Sequence, residues 1–348
     1  MHAIGYQLPG DIARDDALVD IELPTPVPSG RDILVAVRAV SVNPVDTKRR
    51  QSAPPEGHAW KVLGWDAAGV VEAVGPEATL FRRGDEVFYA GAIGRPGTNS
   101  EYHLVDERIV GAKPRTLGWA EAAALPLTAI TAWEGLFHRL DIGNRPVPGA
   151  APAVLIIGGA GGVGSVAVQL ARQLTDLVVI ATASRPETQA WVREMGAHHV
   201  IDHSRNLAAE VAALGLGAPA FVFSTTQTNR HAAAIVELIA PQGRFGFIDG
   251  LAEASPFMQK SVSIHPEWMF TRSNSGTPDM GEQGRLLNEV SRLVDEGTLR
   301  TTLTKRVEGI NAANLKRVHA LLESGTARGK VVLEGFGAPY TSSKGIAA

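Results

Sequence analysis

Two apolar patterns alternate through the middle of the chain. Ala153–Ile157 is continuously apolar, as a strand covered on both faces of a parallel sheet must be, and Val163, Val166, Ala167, Leu170 and Ala171 then recur at helical spacing. The alternation continues with strands at 177–181, 199–201, 220–224, 244–248 and 261–265 and helices at 163–174, 187–195, 207–213 and 229–240. Strand and helix in turn predict a doubly wound parallel sheet over residues 128–275. Upstream, short β-type runs at 33–40, 67–74, 86–90 and 102–105 are broken by Gly and Pro, with a turn signal at Gly84-Asp85, and predict a mostly β domain over 1–127. Downstream, amphipathic helices at 282–296 and 312–323 and a strand at 330–333 are too little for a third domain. Residues 276–348 are therefore expected to complete the first domain, with Tyr340–Ala348 as a loose tail. The fold class is α/β.

The junction between the first strand and helix of the parallel sheet carries chemistry. Gly159, Gly161 and Gly164 are spaced as GxGxxG between a strand and a helix, the context this fingerprint requires. Its glycines let the backbone approach a pyrophosphate, and the free N–H groups of the helix N-terminus hold the negative charge. In NAD-binding proteins an acid about 20 residues on binds the adenosine ribose. Here that place is taken by Ala183, followed by Ser184 and Arg185, which offer donors to a 2′-phosphate. NADPH is favoured over NADH, the alternative being that Arg185 is a solvated loop residue.

Composition narrows the class. The chain has 348 residues, enough for two domains, and 45% hydrophobic residues, enough to fill both cores. A net charge of −3 gives no general attraction to nucleic acid or to an anionic membrane. The absence of cysteine removes disulfides, thiolate metal sites and a cysteine nucleophile together. The first residues, MHAIGYQLPG, show no basic-then-apolar leader pattern, and no stretch approaches the ~20 apolar residues of a membrane span, so a cytoplasmic protein is expected.

Further motifs extend the pattern over most of the chain: SVNPVDTK (41–48), GWDAAGVVEAVG (64–75), GDEV (84–87), AAALPLTAITAW (122–133), GAHHVIDH (196–203) and RGKVVLEGF (328–336). With the glycine turn, they resemble the medium-chain dehydrogenase/reductase superfamily. Within it the chain is similar to the zinc-free quinone oxidoreductase and enone reductase branch, and to the group known as zinc-type alcohol dehydrogenase-like proteins. The resemblance implies a GroES-like β domain, a nested Rossmann domain and a cleft between them, and it implies a homodimer in which the strand at 261–265, at one edge of the Rossmann sheet, pairs with its two-fold copy.

Zinc-dependent members of that superfamily bind the catalytic metal through two cysteines and a histidine. Motif for motif those positions are Asn43, Trp65 and Leu127, which supply no usable ligand set, and the lobe Gly91–Ser100 lacks the four cysteines of a structural zinc site. No metal is expected. Without a Lewis acid, hydride transfer suits acceptors that are already electrophilic, namely quinones and α,β-unsaturated carbonyls. A zinc-dependent alcohol dehydrogenase and a low-turnover NADPH-binding protein remain the alternatives.

The resemblance also assigns roles. Asn43 stands where the family has an asparagine beside the nicotinamide, its amide a donor to the acceptor oxygen, although an Asx-turn before Pro44 accounts for it as well. Lys48, where many relatives carry a tyrosine, is a second donor or a solvated lysine. Tyr89, after the GDEV strand, is a substrate donor or a packed aromatic. Asp66 replaces the glutamate of the zinc enzymes and reads as a buried structural acid before a base. Trp65, Trp268, Met269 and Phe270 are candidates to wall an apolar pocket. For the cofactor, Gly161, Gly162, Val163 and Gly164 fall at the pyrophosphate and Thr131 near the nicotinamide and ribose. Ser184, Arg185 and His203 fall at the 2′-phosphate, and Lys330 is placed to reach the pyrophosphate across the cleft.

Overall fold

The computed structural model describes residues 1–55 and 59–337; the tail expected over 340–348 lies outside them. The chain divides into two compact units, one formed by Met1–Pro126, Arg272–Arg292 and the residues from 303 on, the other by Leu127–Thr271 and Leu293–Thr302. The segment 293–302, expected with the first domain, thus belongs to the second unit.

In the first unit a seven-stranded sheet runs in the order Leu303–Glu308, Lys330–Glu334, Asp32–Ser41, Asp66–Val74, Glu86–Ala90, Val110–Ala112, with Tyr102–Asp106 also paired to Asp32–Ser41. A three-stranded antiparallel sheet of Val19–Glu22, His2–Tyr6 and Lys61–Val62 accompanies it. Asp32–Ser41 is the organising strand. Its Val and Ile side chains are buried on both faces, which β-branched residues tolerate best on a pleated surface. Its register decides what gathers at one end of the sheet. Ser41 pairs antiparallel with Asp66 on one side and with Val332 on the other. Two residues further, Asn43 and Lys330 therefore come to the same end as Asp66. The chain then turns into the helix Pro44–Ser52, whose first residue is the proline a helix start accepts without losing a hydrogen bond.

The second unit is a six-stranded, wholly parallel sheet in the order His199–Ile201, Val178–Thr182, Ala151–Ile157, Pro219–Ser224, Arg244–Phe247, Ser263–Pro266. The strand first in sequence lies inside the sheet, and the order reverses beside it, which is the switch point where such folds bind ligands. Gly162–Leu174, Pro186–Glu194, Leu207–Ala212 and Thr228–Leu238 are its helices. The core is made by Leu155, Ile157, Ile180, Val222 and Phe245, and Phe245 stacks on Phe257 with ring centroids 5.2 Å apart. Each such fully buried side chain contributes about 1.5–3 kcal/mol.

The expected elements recur with their ends shifted by a few residues. The edge strand starts at 263 rather than 261, because Ser261 has a left-handed backbone (φ +49°) where it leaves the short 3₁₀ helix Ser255–Lys260. Unforeseen was the π-helical turn Glu134–Arg139, which continues the helix Pro126–Trp133. Among the described residues no helix is long and apolar enough to cross a membrane.

Candidate active site

The glycine turn is built by close packing. The strand Ala151–Ile157 ends in Gly158, whose φ of +84° few side chains tolerate, and whose carbonyl oxygen would lie 2.1 Å from a Cβ on Gly164. Any larger residue at 164 would push the helix off the strand. A Cβ on Gly161, the N-cap, would meet nothing closer than 3.5 Å, so the space over the helix N-terminus is open there. The N–H groups of Gly162, Val163 and Gly164 belong to the first helical turn, where no intrahelical partner exists. Gly159 sits behind, with its N–H bonded to the Thr182 carbonyl at 3.1 Å. An open, N–H-lined turn at a sheet switch point fits a dinucleotide's pyrophosphate. Gly158 was missed by the sequence reading, although the doubled glycine at 158–159 was its signal.

At the next strand end, Ala183 is buried at 1% exposure and its N–H bonds the Ile201 carbonyl, so this position offers a ribose no acceptor side chain. Ser184 follows, and Arg185 caps the helix Pro186–Glu194, its Nε donating to Glu187 Oε1 at 2.6 Å. His203 Nδ1 lies 3.0 Å from Thr182 Oγ1. Thr131 is 5% exposed and donates its hydroxyl proton back to the Leu127 carbonyl at 2.8 Å.

In the first unit the sheet register produces a buried polar cluster. Lys330, 3% exposed, donates from Nζ to Asp66 Oδ2 at 3.0 Å, to the Val42 carbonyl at 3.1 Å and to Asn43 Oδ1. Asn43 Nδ2 donates to Asp66 Oδ2 at 2.8 Å and reaches the Ser41 carbonyl only at 3.4 Å. Asp46 accepts from the Asn43 N–H at 2.7 Å. Burial pushes the Asp46 carboxyl up to about 7, against the pull of the Asn43 and Gly64 N–H groups and the Lys330 charge, while the Asp66 charge adds to the rise. Asp46 and the cluster as a whole escaped the sequence reading, because the pairing that creates them joins residues nearly 300 positions apart.

Two expectations need correction. Lys330, expected at a pyrophosphate, has its ammonium directed at three oxygen acceptors of this cluster. Tyr89 is no substrate donor. It is wholly buried, stacks on His103 and lies 3.1 Å from its Nδ1, while His103 Nε2 faces the Pro96 carbonyl at 2.9 Å. The carbonyl takes the Nε2 proton, so Nδ1 must accept and the tyrosine hydroxyl must donate to it. Burial raises the Tyr89 hydroxyl and lowers His103 to about 4, which fixes both as neutral partners. Lys48 lies on the exposed side of Pro44–Ser52. Trp65, Met269 and Phe270 are each 3% exposed, whereas Trp268 is 45% exposed and stands edge-on to Phe270.

A second acidic pair in the other unit also went unread. Glu134, on the π-helical turn, and Glu267 are both buried, and burial together with the Glu134 charge holds the Glu267 carboxyl well above its ordinary range despite Arg139 at 2.9 Å.

The Asn43 amide is committed at both ends, Trp65 presents an indole, Leu127 an alkyl chain, and the sequence contains no thiol. Among the described residues no three His, Asp or Glu side chains gather as a metal site. These residues do not fit zinc.

Residues 29–131 match the alcohol dehydrogenase GroES-like domain, and 195–333 match the zinc-binding dehydrogenase domain. A zinc-type alcohol dehydrogenase-like protein of Staphylococcus aureus is 40% identical over 336 residues, which is 96% of this chain and 99% of that one. A crystal structure from Rhizobium etli CFN 42, named as a zinc-dependent alcohol dehydrogenase protein, shares 72% identity with a TM-score of 0.95, over 97% of this chain and 99% of that one. The NADPH-dependent alkenal/one oxidoreductase of Arabidopsis thaliana chloroplasts is 37% identical over 182 residues, half of this chain and 45% of its own length. With the GroES-like and Rossmann architecture and the glycine turn, these matches make the chain an oxidoreductase of the medium-chain dehydrogenase/reductase superfamily, in the company of the zinc-type alcohol dehydrogenase-like proteins.

Proposed function

We propose that the chain reduces quinones or α,β-unsaturated carbonyls with NADPH and without a metal. The observation that carries this reading is the Asn43–Asp66–Lys330 cluster, in which Asn43, at one of the three positions where a zinc enzyme needs a ligand, is held by a buried cation instead. The partial likeness to an NADPH-dependent alkenal/one oxidoreductase supports the same substrate class.

In this reading the N–H groups of Gly162, Val163 and Gly164 hold the pyrophosphate over the open turn at Gly161, Thr131 borders the nicotinamide and ribose, and Ser184, Arg185 and His203 take the 2′-phosphate. Bound there, NADPH supplies the hydride, and the acceptor oxygen gathers negative charge. Asn43 answers that charge. Lys330 holds its amide oxygen and Asp66 holds one of its N–H groups, so the amide cannot rotate. Its second N–H, in only a long contact with the Ser41 carbonyl, is the donor left over. A cation bonded to the amide oxygen polarises that N–H and strengthens it as a donor. Lys48, exposed on the helix that Asn43 caps, is the second donor and the route for the proton the reaction consumes.

NADPH oxidation followed by absorbance, over a panel of quinones, enones and saturated ketones with and without EDTA, tests the reading. Turnover confined to quinones and enones and indifferent to EDTA is expected. Stoichiometric zinc whose removal abolishes activity would overturn it in favour of an alcohol dehydrogenase, and no turnover with any acceptor would favour a nucleotide-binding role.

A further inference from the structure

At the start of the organising strand of the first unit, register and turn geometry gather charge around a small cavity. Asp32 pairs antiparallel with Asp106, the last residue of the strand Tyr102–Asp106. Asp106 then caps the 3₁₀ turn Glu107–Ile109, accepting the Arg108 N–H at 2.9 Å. Like charges directly opposite one another are destabilising, and each aspartate is answered by its own arginine. Arg95 donates from both terminal nitrogens to Asp32 at 2.8 Å, and Arg108 donates from Nε and Nη2 to Asp106 at 2.9 and 2.7 Å. Arg95, Asp106 and Arg108 border a cavity of about 190 Å³ whose apolar wall is Leu104, Ile109 and Met280.

The ligand chemistry follows from what the charged groups have left over. A guanidinium carries five N–H groups. Arg95 and Arg108 each spend two on one aspartate, and neither side chain has another hydrogen-bond partner among the described residues. Two arginines against two aspartates cancel in charge, so a dianion finds no net attraction here. The spare N–H groups of two guanidiniums do suit the two oxygens of a single carboxylate. The apolar wall takes a hydrophobic body. Because the volume lies below the roughly 300–1,000 Å³ of drug-sized sites, that body is one ring or a short chain. The place is separate from the reaction. Both arginines are tied to the Asp32 end of the strand Asp32–Ser41, and the Asn43 cluster lies beyond the other end, on the order of 30 Å away at ~3.3 Å per residue.

We propose that this cavity binds a small monocarboxylic acid, its carboxylate held by Arg95 and Arg108 and its apolar body seated against Leu104, Ile109 and Met280. It is a second ligand site, independent of hydride transfer.

Calorimetric titration of the full chain with benzoate, acetate, benzyl alcohol and inorganic phosphate tests this, using wild type, Arg108→Gln and Ala92→Phe. Arg108 is exposed, so its variant is the one that must fold, and Ala92 is a half-buried lining residue whose enlargement fills the cavity. In wild type, benzoate should bind at one per chain and at least about tenfold more tightly than acetate, which lacks the body, or benzyl alcohol, which lacks the carboxylate. Phosphate should not bind. Arg108→Gln should weaken benzoate about fivefold or more and Ala92→Phe should abolish its binding, with NADPH oxidation by an enone unchanged in both when no acid is added. Benzoate that fails to bind wild type, or binds Arg108→Gln as tightly as wild type, overturns the site. Benzyl alcohol or phosphate binding as tightly as benzoate overturns the assignment to a carboxylate.

Discussion

Replacing Lys330 by methionine removes one charge from the middle of the buried cluster and leaves the chain length nearly unchanged. At 3.0 Å from Asp66 Oδ2 the ammonium gains about 5–6 kcal/mol of Coulomb energy at an effective dielectric of about 20, most of it offset by the cost of taking both ions out of water. The net worth of the pair is therefore small, but the cost of breaking it is not. Lys330→Met strands the Asp66 carboxylate at 0% exposure and leaves Asn43 Oδ1 and the Val42 carbonyl without their donor. Removal of one buried partner costs about 3–5 kcal/mol, and we expect about 4 kcal/mol at pH 7. Adding Asp66→Asn keeps an acceptor for Asn43 Nδ2 and removes the stranded charge, so the double variant should recover about half of that loss. Urea unfolding followed by the fluorescence of Trp65, buried in the same unit, gives both numbers. A single variant that loses less than about 1 kcal/mol, or a double variant whose loss is the sum of the two singles, would refute the account of a charge held by its partner. Activity offers an independent check. If Lys330 positions the Asn43 amide, kcat for an enone should fall about tenfold or more with NADPH affinity preserved, roughly one lost charge-assisted contact in the transition state. If NADPH affinity falls instead, the lysine reaches the cofactor after all.

Three further outcomes are expected. Because Glu187 competes for the Arg185 guanidinium, Glu187→Gln should tighten NADPH binding and Arg185→Ala should weaken it, read by fluorescence titration against NADH, for which neither should matter. His319 is fully buried with neither ring nitrogen hydrogen-bonded among the described residues, and burial, with the Arg50 charge, lowers it to about 3. The unfolded chain protonates this ring near 6.5 while the folded one does not, so stability is complete above 6.5 and is lost at about 1.4 kcal/mol per pH unit as pH falls toward 3. His319→Leu should flatten the slope of stability between pH 6.5 and 5, leaving the share due to His103 and the other histidines that burial lowers, without loss at pH 7; an unchanged slope in pH-dependent unfolding would count against it. The edge strand Ser263–Pro266 should pair with a second copy of the chain, so light scattering is expected to show a dimer in wild type and a monomer in Ile264→Lys; a monomeric wild type would exclude that interface.

The Rossmann unit was legible because its signals are local. A continuous apolar strand, a glycine turn and a helical stripe follow one another within some twenty positions, and each sheet strand is separated from the next by its own helix. Where the reading slipped, a local term overrode periodicity: the apolar run at 261–265 begins in a left-handed residue, and the π-helical turn at 134–139 has no periodic signature distinct from the helix it continues. The first unit was harder. Its strands are short, and the return of 303–337 to the sheet depends on pairings between ends of the chain that no window in the sequence reveals.

The site separates along the same line, and the separation bears on the chemistry. Residues marked by the glycine spacing, Gly159, Gly161 and Gly164, could be read directly, and at 159 and 164 a Cβ would collide with the neighbouring strand ends. Residues whose role rests on a side chain's partner could not. Tyr89 and Lys330 were both plausible donors by position, yet His103 consumes the hydroxyl of one, and Asp66 with Asn43 consumes the ammonium of the other. The latter replacement is the informative one. A zinc enzyme and this chain face the same electrostatic demand, a positive charge near a developing oxyanion. A metal answers it by direct coordination. A buried ammonium two bonds removed, acting through an amide, delivers a weaker field, and such a site can serve only acceptors that need little activation. The substrate class proposed here thus follows from the strength of the device the fold retains, and it would have to be abandoned if saturated ketones proved to be reduced as fast as enones.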